Sequence, residues 1–195
     1  MRTTSAAMLL LFLCPIASFG QVPDPDALKQ VQQEKLAQVN FMNGQWRGTA
    51  WRMAPSGERI EFTQTERVGD MLDGCVKVIE GCGYDADGEK VFNAMAVLAY
   101  DAASQELVMR SHAEGRVGNF IMEAREDGFG WEVPAGPNKI RYTAKVADGE
   151  WFEYGELSIP GRDPMRIFEM RLKKVGQTEW PAAGAVPPVE AQATP

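Results

Sequence analysis

Glu106-Leu107-Val108-Met109-Arg110-Ser111-His112-Ala113-Glu114-Gly115-Arg116-Val117-Gly118-Asn119-Phe120-Ile121-Met122-Glu123-Ala124 reads as two strands folded back on a two-residue turn. With Glu114 and Gly115 in the turn, His112 falls opposite Val117, and alternation sorts the side chains. Leu107, Met109, Ser111, Gly118, Phe120 and Met122 share one apolar face, and Val108, Arg110, His112, Asn119 and Glu123 share the other. The apolar face is expected to point inward, which leaves the chain's single histidine outside.

The same pattern repeats along the chain. Strand-like segments are predicted at 45–53, 59–68, 75–81, 91–100, 106–112, 116–124, 130–134, 139–146, 151–159 and 165–175. The connectors carry hairpin residues: Ser56-Gly57, Asp87-Gly88, Glu114-Gly115, Asp127-Gly128, Asp148-Gly149 and Pro160-Gly161. Ten sequential hairpin-linked strands without a helical crossover imply an all-β, antiparallel up-and-down barrel, since closure removes exposed sheet edges. Asp24 before Pro25 is a helix-start signal, and Leu28, Val31, Leu36 and Val39 recur at helical spacing. This short N-terminal helix is expected to cover one end of the barrel. Serving a partner protein is the alternative.

Residues 1–20 have one cation, Arg2, an apolar stretch from Ala6 to Ile16, and small residues Ser18 and Gly20 before Gln21. They read as a signal peptide, too short in its apolar part to span a membrane. Lipidation at Cys14 is disfavoured by Leu13, which stands where a small residue is needed. The expected layout is a signal peptide at 1–20, a helix within 21–40, a barrel at 41–176 and a disordered Pro- and Ala-rich tail at 177–195 that includes Trp180. The expected location is periplasmic or secreted. Removing residues 1–20 takes Arg2 and no carboxylate, leaving 19 basic against 27 acidic residues. A net charge of −8 argues against nucleic acid and anionic lipid as partners, and no later segment can insert into a membrane as a helix. A monomer is expected. Cys75 and Cys82 can pair in an oxidising compartment, but a straight strand holds them too far apart, so a bridge requires a bulge or reversal.

Turn positions extend the sorting by face. Around Asp148-Gly149 and the loop from Pro160 to Pro164, one face groups Ile140, Tyr142, Ala144, Val146, Trp151, Leu157 and Ile167 with Glu153, Glu169 and Arg171, and sets Glu153 opposite Arg171. Carried to the earlier strands, the parity adds Phe62, Gln64, Glu66, Val78, Glu80, Asn93, Met95 and Val97. The interior is therefore expected to mix apolar and charged groups. A buried carboxylate must be paired, hydrated or used. Glu153 and Arg171 as a structural pair is one reading. The other is a ligand pocket in which Arg171 holds an acidic or carbonyl group, with Glu169 nearby and Phe120, Tyr142 and Trp151 packing the apolar body.

Motifs for other chemistries are missing from the sequence. One histidine and two separated cysteines do not make a metal site of the usual kind, and Asp85-Ala86-Asp87-Gly88 reads as a hairpin rather than a calcium loop. Ser111 and His112, adjacent on a strand, point to opposite faces and cannot act as nucleophile and base. Acid–base catalysis by carboxylates, with Glu153 and Glu169 as candidates, stays open.

Gly44-Gln45-Trp46 at the head of the first strand resembles the calycin superfamily of lipocalins, fatty-acid-binding proteins and haem-binding nitrobindins. That resemblance implies that Trp46 packs at the closed end against a basic residue of the last strand, with Arg171 or Lys173 as the match. The stretch from Phe41 to Val175 resembles a family of bacterial secreted domains of unknown function with a lipocalin-like barrel. Gly44-Gln45-Trp46, Ala99-Tyr100-Asp101, Asp127-Gly128-Phe129-Gly130-Trp131, Asp148-Gly149-Glu150-Trp151 and Phe168-Glu169-Met170 carry that likeness. Nitrobindins hold haem through a histidine near the C-terminal end of the domain, where this chain has none, so no haem on His112 and no other cofactor is expected. The sequence thus leads to a barrel that binds a small, partly apolar molecule in its lumen. The alternatives are a hydratase- or isomerase-type enzyme and an interaction module with a filled core.

Overall fold

In the computed structural model, which describes residues 24–178, the chain forms one closed antiparallel barrel. A helix, α1 (Pro25–Ala37), precedes ten strands: β1 (Gly44–Met53), β2 (Arg59–Met71), β3 (Val76–Tyr84), β4 (Lys90–Asp101), β5 (Glu106–Ala113), β6 (Arg116–Arg125), β7 (Gly128–Ala135), β8 (Asn138–Ala147), β9 (Glu150–Ser158) and β10 (Met165–Gly176). Each strand pairs with its sequence neighbours, and β1 pairs with β10 to close the ring. The ten expected segments are all present, most of them longer by a residue or two at one or both ends. The expected signal peptide, Cys14 and Trp180 lie outside the described residues.

Hairpin chemistry acts as expected where the turn demands left-handed backbone. Glu114 and Gly115 have φ of 51° and 74°, and Asp148 and Gly149 have 54° and 76°, the pattern of a tight two-residue turn whose twist suits paired strands. These turns fix the registers that were read from them. Ser111 faces Gly118 and Met109 faces Phe120 across β5 and β6, while Ala144 faces Glu153 across β8 and β9. At Asp85 the carboxylate accepts from the Asp87 and Glu89 amides at 3.0 and 2.9 Å, an aspartate-stabilised hairpin.

One end of the barrel is closed. Asp24 caps α1 by accepting from the Asp26 amide at 3.1 Å, and Leu36, Val39 and Met42 drive into the end of the barrel. Leu28 and Val31, expected to join them, stay exposed. Polar contacts hold the rest of the helix: the Gln32 amide both donates to the Tyr100 carbonyl and accepts from its N–H, and Gln33 donates to the Asp73 carbonyl at 2.6 Å. Beneath the helix Trp46 lies edge-on to Trp151 at 5.6 Å, and Phe129 lies edge-on to the same Trp151 at 5.7 Å. The Trp46 indole donates to the Met42 carbonyl at 2.8 Å, so its polar atom is satisfied without water. The basic group over Trp46 is Lys174, 5.5 Å from the ring centre, rather than Arg171 or Lys173.

Two local irregularities correct the sorting by face. After β2 the chain turns through Leu72, Asp73 and Gly74, all with positive φ, and β3 pairs so that Glu66 faces Gly81 and Val68 faces Ile79. Ile79, Gly81 and Gly83 therefore point inward, as do Phe92, Ala94, Ala96 and Leu98 on β4. Val78, Glu80, Asn93, Met95 and Val97 belong to the opposite parity. In β10 the register with β9 shifts at Ile167, between Arg166 and Phe168. The extra residue reverses the alternation, so Phe168, Met170 and Leu172 face inward. Glu153 faces Met170 rather than Arg171, and Arg171 faces Phe152 on the outer surface.

Cys75 and Cys82 are both free thiols, one beside the closed end and one on the outer wall. A buried lysine also marks the closed end. Lys77 is 0% exposed, donates to Asn43 Oδ1 at 2.5 Å and Asn40 Oδ1 at 3.2 Å, and forms an ion pair with Asp70. Burial pushes its pKa down, and Asp70 pulls it up. Because Asn40 and Asn43 link α1 to β1, this contact ties the helix to the sheet. Truncation in Lys77→Ala leaves those acceptors unpaired, and a loss of about 3 kcal/mol in urea unfolding is expected. An unchanged midpoint would show the contact to be dispensable.

Candidate functional site

The barrel opens at the end opposite α1, and burial follows that axis. Near the helix the inward residues Trp46, Val68, Leu98, Met122, Phe129, Val146, Trp151 and Leu172 are fully buried. Toward the other end Phe92, Ala94, Ser111, Gly118, Phe120, Trp131, Tyr142 and Phe168 occupy inward positions yet keep accessible surface. An inward side chain that solvent can still touch is touched from the lumen. The interior is thus a cup at this end, open to solvent.

Its two walls differ. On β6, β7, β8 and β10 four rings run in a row. Phe120 lies 5.3 Å from Trp131, Trp131 stacks on Tyr142 at 4.3 Å with planes 12° apart, and Tyr142 meets Phe168 at 5.9 Å. β9 passes between Tyr142 and Phe168, and Gly155 there leaves room for them. A Cβ at Gly155 would lie 2.8 Å from the Tyr142 ring. The facing wall on β3 to β6 is built of Gly81, Gly83, Ala94, Ala96, Ser111 and Gly118. The room left by the missing side chains at Gly83 and Gly118 is taken up by the rings of Phe62 and Phe120, which would lie 2.9 and 2.3 Å from a Cβ there.

The floor is polar. Gln64 and Glu66 from β2 and Glu153 from β9 point inward, Gln64 being 3% and Glu153 6% exposed. Gln64 Nε2 donates to Glu66 Oε1 at 2.7 Å, and Gln64 Oε1 is buried with no hydrogen-bond partner. The Trp151 indole donates to Glu153 Oε2 at 3.1 Å, and Trp131 adds a second hydrogen bond. Glu66, at an inward position, keeps some accessible surface although protein surrounds its carboxyl. Burial pushes Glu66 up to about 8, against the Gln64 hydrogen bond, with the charge of Glu153 adding to the rise. Burial likewise pushes Glu153 up to about 7, and Tyr142 to about 12 with Glu153 contributing. Two carboxyl groups that exchange protons near neutrality therefore sit at the base of an aromatic cup.

The residues singled out from the sequence divide between the two surfaces. Phe120, Tyr142, Trp151 and Glu153 are inside, Trp151 as part of the closed end. Glu169 and Arg171 are outside: Arg171 lies over Phe152 at 4.2 Å, and Glu169 pairs with Arg171 at 3.1 Å and Arg166 at 3.0 Å. Both line an open outer groove of about 420 Å3 with Thr49, Trp51 and Glu61. His112 stands exposed on the outer wall between Met95 and Val117, so a group in the lumen gains no imidazole from it. Gln64 and Glu66 belonged to the expected lining but not to the expected site. Their signal was the polar alternation Gln64-Thr65-Glu66 between the apolar Phe62 and Val68.

Comparison with family models finds no match, and none is found among curated proteins. Among solved structures, that of Rv2717c from M. tuberculosis aligns with a TM-score of 0.54 at 10% identity, covering 71% of this chain and 96% of that one. The S-type phycobiliprotein lyase CpeS from Guillardia theta aligns with a TM-score of 0.47 at 10% identity, covering 77% and 98%. The likeness to Rv2717c is one of fold. The chain is a closed ten-stranded barrel of lipocalin-like architecture.

The floor makes stability depend on pH. The folded chain holds a proton on Glu66 up to about 8, whereas the unfolded chain releases it near 4.5. Stability from this group is therefore complete below about 4.5 and lost as pH rises through about 8. Glu66→Gln is expected to match the wild type near pH 4 and to exceed it by about 1–3 kcal/mol near pH 9 in urea unfolding. Parallel pH profiles for the two proteins would show Glu66 to be fully solvated.

Proposed function

We propose that this protein is a periplasmic or secreted carrier, akin to the bacterial secreted lipocalin-like domains, that holds a small, partly apolar molecule in the barrel lumen. One observation carries the reading: Phe120, Trp131, Tyr142 and Phe168 face inward and remain accessible. A barrel used only as a scaffold gains stability by filling its interior, since each ring left accessible forgoes part of about 1.5–3 kcal/mol of burial. Aromatic rings held open around a few polar groups are instead the usual make-up of a ligand site. The molecule enters at the end opposite α1, because α1 and the Trp46–Trp151 contact block the other.

A second reading draws on the floor. Glu66 and Glu153, with pKa values raised to about 8 and about 7, suit proton transfer to a bound substrate, as in a hydratase or isomerase. In that case Glu66 takes the place expected of Glu169, whose carboxylate is held by arginines outside.

Native mass spectrometry of the mature protein purified from its own compartment separates these readings. A carrier is expected to show added mass that disappears on denaturation. Ser111→Trp, which fills the small-residue wall, is expected to lose that mass while keeping the wild-type circular dichroism. A bare mass in the wild type would contradict the carrier reading and leave the enzyme.

A further inference from the structure

We propose that the lumen selects a molecule with a protonated amine, or a similar cationic hydrogen-bond donor, at the end that reaches the floor, and an apolar or aromatic body above it. This rests on the lumen being a binding site and names the chemistry of its ligand.

With Glu66 ionised, the unused hydrogen-bonding capacity of the floor is acceptor capacity. Gln64, 97% buried, leaves Oε1 without a partner, and the same amide uses its nitrogen on Glu66. Glu66 accepts that one side-chain hydrogen bond on Oε1, which leaves Oε2 for a ligand. Both groups lie against Gly81, where a Cβ would come within 2.7 Å of Glu66 Oε1 and 3.2 Å of Gln64 Nε2. The absent side chain makes room for the carboxyl, whose Oε2 would lie 3.0 Å from the same Cβ. Glu153 accepts from two indoles and carries a negative charge when ionised, close enough to Glu66 for that charge to act on it.

No cation answers these groups from within. Among the described residues, the basic side chains at inward positions are Lys77 and Lys174 at the closed end, one bound to Asp70 and the other over Trp46, and Arg52, Lys90 and Arg116 at the exposed rim. The Glu80–Arg67 pair on β2 and β3 faces outward, at 2.6 Å. A fatty-acid carboxylate at the floor would meet two carboxyl groups and no counter-charge. An ammonium group meets two acceptors and a carboxylate in a site of low dielectric, where charge-assisted bonds are strongest.

The titratable groups around the floor are Glu66, Glu153 and Tyr142, with the charge of Glu80 on β3 also acting on Glu66, so amine binding is coupled to loss of a carboxyl proton. At low pH the floor is neutral, and its preference for a cation falls.

Calorimetry on the full mature chain with phenylbutylamine, phenylbutanol and phenylbutanoate tests this, since the three share one body and differ in the end group. The amine is expected to bind about tenfold or more tightly than the alcohol near pH 9, with the gap narrowing near pH 5. Phenylbutanoate is expected to bind weakest. Glu66→Gln and Glu153→Gln are each expected to reduce the ratio of amine to alcohol affinity, and wild-type circular dichroism shows the variants to be folded. Equal binding of amine and alcohol would overturn the donor-end inference and leave the lumen site standing. Failure of all three to bind would overturn both.

Discussion

Every inward position in this barrel depends on the pairing of β1 with β10, the contact that closes the ring. It is a close one: a Cβ on Gly48 would sit 2.0 Å from the Arg171 carbonyl oxygen, so only glycine lets the strands meet there. Once the ring is closed, each strand has one face in and one face out, and a one-residue slip exchanges them. The shift at Ile167 makes that exchange in β10. It turns Phe168, Met170 and Leu172 inward and places Glu169 and Arg171 on the outer surface, where they pair with each other. Had the alternation run unbroken, an arginine would have stood beside Glu153 on the neighbouring strand and neutralised its charge.

The two ends of the barrel follow from this arrangement. At one end the indoles of Trp46 and Trp151, the ring of Phe129 and the apolar edge of α1 pack without gaps, and Lys77 is tied to Asn40, Asn43 and Asp70. At the other end nothing comparable covers the lumen among the described residues. The polar groups lie between, where the packed end gives way to the open one. That position explains their protonation: packed protein on one side removes solvent, and the cup on the other leaves the carboxyls reachable. Depth without full enclosure lets a group be both perturbed and usable.

Much of this could be read from the sequence because two-residue turns leave a signature. Glu114-Gly115 and Asp148-Gly149 state where the chain reverses, and the faces of β5, β6, β8 and β9 follow by counting. Counting fails where the backbone deviates without a residue type that announces it. The link through Leu72 and Asp73 uses left-handed backbone at residues that seldom adopt it, and Ile167 is an ordinary strand former at a register shift. Beyond each of these points the face assignments reversed, for β3 and β4 and for most of β10. Lys174 rather than its neighbours lies over Trp46 for the same reason, since the shift at Ile167 gives it the inward parity of Phe168, Met170 and Leu172. The prominence of Gln64 and Glu66 needed the structure as well, because an empty acceptor is a property of surroundings and not of a residue type.

The most direct measurement is the pH titration of the side-chain carboxyl carbons of Glu66 and Glu153 by 13C NMR in the ligand-free protein. Midpoints near 8 for Glu66 and near 7 for Glu153 are expected from two desolvated carboxyls sharing one interior. Midpoints for both near the ordinary 4.5 would mean that water reaches them freely, and would contradict a dry, acceptor-lined floor.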